Sequence, residues 1–154
     1  MTQDLRIPIL IPLAVAAVVI LCTIFIHAMS VSVSLNLLRR ERRLGRTGRS
    51  FWSDFPVVVL AMLATLAAHM IEIALWAEVY VLCGEFPYFG TAYYHSAVNY
   101  TTLGYGDLIM TPRWRLLGPL EAANGMLLFG VSTAMVFALV QWLIQARFAD
   151  LRNE

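Results

Sequence analysis

Three long apolar runs separated by short polar segments dominate the chain. The first, Ile7 to Ile26, holds twenty residues without a charge. At about 1.5 Å per residue, a helix of that length spans roughly 30 Å, the thickness of a bilayer core. The pattern predicts a membrane-spanning helix over 7–38, with Pro8 and Pro12 near its start, where missing amide donors cost least. A secretory signal would need a basic start and a shorter apolar core; Asp4 and Arg6 cancel, and the run is too long. A second span is predicted over 55–83, opened by Pro56 and stopped at Gly84. A third is predicted over 116–148, entered at Gly118 and Pro119 and ended by Arg147, Asp150 and Arg152. The segment 39–54 between the first two carries charges with Gly45 and Gly48, so it reads as a short loop or helical extension in water.

About thirty residues separate the second and third runs, and they are not an ordinary polar loop. They contain Phe86, Tyr88, Phe89, Tyr93, Tyr94, Tyr100 and Tyr105. Residues 91–100 suit a helix of about three turns, too short to cross a bilayer. Thr101-Thr102-Leu103-Gly104-Tyr105-Gly106-Asp107 follows at once. A short helix and a glycine-containing strand between two spans read as a re-entrant loop. Irregular backbone at that depth is tolerated only when buried in protein or lining a water-filled path.

Composition agrees. Sixty per cent of the 154 residues are apolar and the net charge is +1, so no bulk attraction to nucleic acid is implied. All eleven basic residues are arginine, and six are packed into Arg39, Arg40, Arg42, Arg43, Arg46 and Arg49. Such a block marks the cytoplasmic side of a membrane and attracts anionic lipid headgroups. Nothing in the sequence supplies an aromatic platform for nucleic acid. The positive-inside rule places the N-terminus outside, the 83–116 segment outside and the C-terminus in the cytoplasm; Arg113 and Arg115 run against it but are outnumbered. The expected location is a plasma membrane, the inner membrane of a prokaryote. Cys22 and Cys83 are too few and too far apart for a disulfide framework or a zinc site and read as packing residues.

The Thr101–Asp107 string resembles the potassium-channel pore family, in the prokaryotic two-transmembrane-pore type with an extra N-terminal helix. The resemblance covers roughly residues 55–145 and is specific at the string itself. It implies an all-α membrane protein with three spans, a re-entrant pore helix over 91–100, a selectivity filter over 101–107 and a homotetrameric pore. The implied activity is passive potassium permeation with no cofactor, K+ being the permeant ion held by Thr102, Leu103, Gly104 and Tyr105, with Gly106 completing the filter. Backbone carbonyls replace the water an ion loses, four per layer from four chains. For successive carbonyls to point one way the backbone must visit positive φ, which Gly104 and Gly106 permit.

The sequence also departs from that family. Most relatives have valine at Leu103. Some carry an acidic residue, partner to the filter aspartate, where Val98 stands. Many have a tryptophan pair where Tyr94 and His95 stand; the expectation is that Tyr94 donates a hydrogen bond to Asp107 and, with His95, Val98 and Thr101, supports the filter. On the third span Gly125 and Gly130 are five apart and are candidates for a hinge or for close helix packing. By the same alignment Met126, Phe129, Thr133 and Phe137 would face a water-filled cavity.

His69, Glu72 and Glu78 in the second span and Glu121 in the third are costly in hydrocarbon and should face protein or water. His69 and Glu72 share a helix face, as a pH sensor or a structural contact. The first span lacks the regular arginines of a voltage sensor. His27, His69 and His95 are scattered with no nucleophile and base motif, so an enzyme is disfavoured. Two rival readings are a weakly selective cation channel and a non-conducting membrane scaffold.

Overall fold

The computed structural model describes residues 9–45, 47 and 50–151, and among them only helices occur as regular structure. These are α1 (Leu10–Arg43), α2 (Phe51–Leu82), α3 (Phe89–Tyr100) and α4 (Leu117–Leu151). α1, α2 and α4 contain stretches long and apolar enough to cross a membrane. α3, at 12 residues, does not.

Helix ends follow local chemistry. α1 runs past the expected boundary at 38, so the arginine segment is a helical extension through Arg43, one of the two forms expected for it. Arginine is a good helix former, and Arg40, Arg42 and Arg43 sit in the last turn, where the helix dipole favours cations. Arg46 and Arg49 lie outside the described residues. α2 starts earlier than expected because Ser50 and Ser53 cap each other's amides: Ser53 N donates to Ser50 Oγ at 3.3 Å and Ser50 N to Ser53 Oγ at 3.1 Å. It stops at Gly84, which adopts φ +76° while Glu85 N reaches back to the Tyr80 carbonyl at 3.0 Å.

Burial along α1 is inverted relative to a soluble helix. Its buried stripe is Pro12, Ala16, Val19, Thr23, His27, Ser30 and Ser34, while Leu10, Val18, Leu21, Phe25, Met29 and Val33 are exposed. Small and polar residues inside with large apolar residues outside is the arrangement of a helix packed within a membrane, where lipid is as apolar as leucine and close approach drives association. Cys22 lies off this stripe and is exposed rather than packed, contrary to expectation.

The chain divides into two compact units. One comprises Met1–Phe25 with Met70–Leu128. Its core gathers Ile73, Trp76, Ala77, Tyr80, Phe86, Ala92, Tyr100 and Leu117 around α3. Glu85 ties the segment before α3 to the one after the Thr101–Asp107 string, accepting from Thr111 N at 2.7 Å and Thr111 Oγ1 at 2.5 Å. The other unit comprises Ile26–His69 with Phe129–Glu154. Its apolar centre is Val57, Ala61, Leu139 and Leu143. Arg147 pairs with the buried Asp54 at 2.8 Å, and Arg42 lies over the Trp142 ring.

α4 passes without a break through both Gly125 and Gly130. The two differ in surroundings. A Cβ at Gly125 would stand 2.2 Å from the Tyr100 carbonyl oxygen, so glycine there lets α4 touch the C-terminal end of α3. A Cβ at Gly130 would meet nothing within 4 Å. Gly125→Ala is expected to destabilise the purified protein by about 1–3 kcal/mol through overpacking. Gly130→Ala is expected to be neutral or mildly stabilising, since alanine is the better helix former by about 1 kcal/mol. Thermal melts of the two variants in detergent check this contrast.

Candidate functional site

The site grows out of the end of α3. Tyr100 is the last helical residue; Thr101 N then donates to Ala97 O at 3.1 Å, Thr102 N to Asn99 O at 2.8 Å and Gly104 N to Val98 O at 3.3 Å. From there the backbone changes character. Thr102, Gly104 and Gly106 adopt φ of +62°, +58° and +72°, while Leu103 and Tyr105 keep negative φ. In an ordinary strand, side chains and carbonyls alternate from side to side. A left-handed residue at every second position undoes that alternation and allows consecutive carbonyls to share one side. Thr102 is the surprise. A β-branched residue at positive φ is a conformational outlier of the kind that clusters at functional sites. Glycine content alone signals only Gly104 and Gly106.

All seven residues from Thr101 to Asp107 are exposed in the single chain, Leu103 by 58% and Tyr105 by 66%. Among the described residues, no carbonyl from Thr101 to Gly106 accepts a hydrogen bond. These carbonyls, without a partner among the described residues and flanked by exposed large side chains, are open to a ligand or to further protein.

The predicted supporting residues fall around this segment. Tyr94 donates its hydroxyl to Asp107 Oδ2 at 2.8 Å. His95 is buried against Phe86 and Tyr80, with ring centroids at 4.8 and 5.4 Å, and its Nε2 lies 2.9 Å from Asn99 Nδ2. Burial holds the His95 pKa below its ordinary value, against the opposing pull of Asp107 and Glu85, and so favours the neutral ring. Val98 is buried and contributes its carbonyl to Gly104. Thr101 turns its hydroxyl back to Ala97 O at 2.6 Å.

Behind α3 lies a set of polar contacts that sequence reasoning did not assemble. Tyr100 donates to the Glu72 carboxylate. Ser96 Oγ lies 2.8 Å from Ile73 O and 2.5 Å from Glu121 Oε1, and Tyr80 donates to Glu121 Oε2 at 2.5 Å. Glu72 and Glu121 are fully buried. The signal was available in part: a carboxyl in an apolar span requires donors nearby, and Ser96 and Tyr100, four apart, share the face of α3 that meets them. Glu78, by contrast, is exposed near the end of α2.

In the second unit, His69 Nε2 stands 2.9 Å from Ser132 Oγ, which lies 3.2 Å from His27 Nε2, and the His69 ring tilts over Phe129 at 4.4 Å. Of the expected cavity residues, Met126, Phe129 and Phe137 are exposed on α4, and Thr133 bonds to Phe129 O at 2.9 Å. Phe129, Thr133 and Phe137 line a groove of about 560 Å³ with His69, Met62 and Leu66. Arg39, Arg40 and Arg43 with Asn36 line a surface pocket of about 420 Å³.

Residues 68–141 match a family model described as ion channel. No curated protein and no solved structure matches the chain.

The Tyr94–Asp107 bond yields a pH expectation. That bond raises the Tyr94 pKa above its ordinary value, because the neutral phenol is the donor. Its contribution is complete below the ordinary phenol pKa of about 10 and is lost only as pH rises through the elevated one. Amide hydrogen exchange of residues 105–108, corrected for its intrinsic pH dependence, should be flat between about pH 6 and 9. Tyr94→Phe should accelerate it several-fold throughout that range.

Proposed function

We propose, from the match of residues 68–141 to the ion-channel family model, that the chain is a potassium-selective channel assembled from four copies. The observation that carries the reading is the alternation of positive φ at Thr102, Gly104 and Gly106 within Thr101–Asp107. A dehydrated cation needs several oxygens at once, and one strand offers only one per layer. Four strands around an axis supply a ring at each level, with the Thr102 hydroxyl adding oxygens at the inner mouth. The negative end of the α3 dipole adds a favourable potential for a cation. The exposure of Leu103 and Tyr105 supports assembly, since neighbouring copies would cover both.

Permeation of this kind needs no cofactor and no covalent chemistry. The arginines at 39–43 favour a cytoplasmic position for the end of α1, with the N-terminus and the filter mouth outside and the C-terminus in the cytoplasm of a prokaryotic plasma membrane. The pocket of Arg39, Arg40 and Arg43 suits an anionic lipid headgroup at that surface. Met126, Phe129, Thr133 and Phe137 would face the cavity beneath the filter, with Thr133 giving that wall a polar group.

The test is ion flux from liposomes containing purified protein, driven first by a potassium and then by a sodium gradient. Potassium flux is expected to exceed sodium flux by at least tenfold. Gly104→Ala is expected to abolish it. At φ +58° a side chain is strained by about 1–2 kcal/mol, while the added Cβ meets no atom within 4 Å in the single chain, so the effect acts through backbone conformation. Equal flux of the two ions would replace this reading with a weakly selective cation channel. Flux that Gly104→Ala leaves intact would remove the filter from its assigned place.

A further inference from the structure

Most of the buried polar chemistry of the first unit converges on two residues of α3, and the filter begins immediately after one of them. Tyr100 is fully buried. Its hydroxyl donates to Glu72 of α2. Its carbonyl bears on Gly125 of α4, where any side chain would come within 2.2 Å of the oxygen. One turn earlier Ser96, also fully buried, meets both the Ile73 carbonyl of α2 and Glu121 of α4. Ser96 and Tyr100 are four apart and therefore share one face of α3. That face is pinned to two different helices at two levels, which fixes both the rotation of α3 about its axis and the position of its last residue.

We propose that Tyr100 is a positioning residue of the filter, held at its side chain by Glu72 and at its backbone by Gly125, with Ser96 and Glu121 as the second anchor. The proposal rests on the channel reading above. Thr102, two residues on, must be kept at φ +62°, a conformation a β-branched residue does not choose alone. Such strain persists only when the surroundings over-determine it. A phenol fixed at its hydroxyl and again at its carbonyl is a rigid lever with that effect. The side of α3 at Val98 carries no carboxylate to brace the filter. Here the carboxylates arrive from the neighbouring helices instead.

A merely structural role for Tyr100 would lower stability without touching ion preference, so the test reads both. Purified oligomers of wild type, Tyr100→Phe, Glu72→Gln and Glu72→Leu are melted in potassium and in sodium, and the potassium to sodium flux ratio is measured in liposomes. Wild type should melt higher in potassium than in sodium. Tyr100→Phe and Glu72→Leu should lose most of that potassium-specific increment and at least fivefold of the flux ratio, with similar melting in sodium. Glu72→Gln retains an acceptor for the phenol and should restore both. If both variants keep the increment and the ratio while wild type shows potassium preference, this proposal is overturned and the channel reading stands. A fall in sodium melting alone, with ion preference retained, also overturns it. Absence of potassium preference in wild type overturns the potassium-selective reading and this proposal together.

Discussion

The first unit turns on one constraint: an irregular segment whose carbonyls accept no hydrogen bond among the described residues must be held in shape without a ladder. In hydrocarbon every unsatisfied backbone group costs several kcal/mol, so such a strand has to be braced by protein on one face and served by ions or water on the other. The residues around Thr101–Asp107 answer the first half of that demand. Val98 receives Gly104 N at one end, and Tyr94 holds Asp107 at the other. Glu85 fastens the return at Thr111. The strand is thus tied at its start, its finish and its exit, while the stretch between is left open.

The helices are chosen for the same reason. α3, at 12 residues, is too short to cross a membrane, and its last residue is held between α2 and α4. His95 of α3 packs its ring against Tyr80 and Phe86, which meet each other edge-on. Close approach of α4 depends on Gly125 having no side chain. The buried carboxyls Glu72 and Glu121 would be liabilities in an apolar span, yet each is engaged by hydroxyls from the element it must hold. A hydrogen bond between helices is directional, so it fixes rotation and register where an apolar contact of equal area would tolerate sliding.

Much of this was legible in the sequence, for physical reasons. Apolar runs of bilayer length mark the three spans, the first of them free of charge, and Gly104, Tyr105 and Gly106 in their setting mark the irregular segment. The Tyr94–Asp107 pair is implied by the resemblance, which sets Tyr94 at a position where many relatives carry tryptophan. Helix ends were less legible: arginines tolerate helix as readily as loop, and α1 continues to Arg43. The reciprocal serine cap at Ser50 and Ser53 moves the start of α2 ahead of the apolar run that predicts it. Cys22 was assigned to packing on residue type, whereas the inward stripe of α1 is set by small and polar residues. The positive φ of Thr102 was not legible, because no local preference of threonine predicts it. It is imposed by the surroundings.

That last point separates the two kinds of information in the chain. Gly104 and Gly106 permit the unusual backbone; they do not enforce it, since glycine is equally content elsewhere. Enforcement comes from residues distant in sequence: Glu72 lies 28 residues from Tyr100, and Glu121 lies 25 from Ser96. A reading that stops at the glycine string finds the place where chemistry happens but not what makes it happen reproducibly. The acidic residues inside the spans are the complementary signal. Read as isolated charges they suggest sensors. Read with the hydroxyls of α3 they become fixed points from which the strand is hung, and the expense of burying them is offset by the conformational precision they give to a threonine that would otherwise leave its left-handed well.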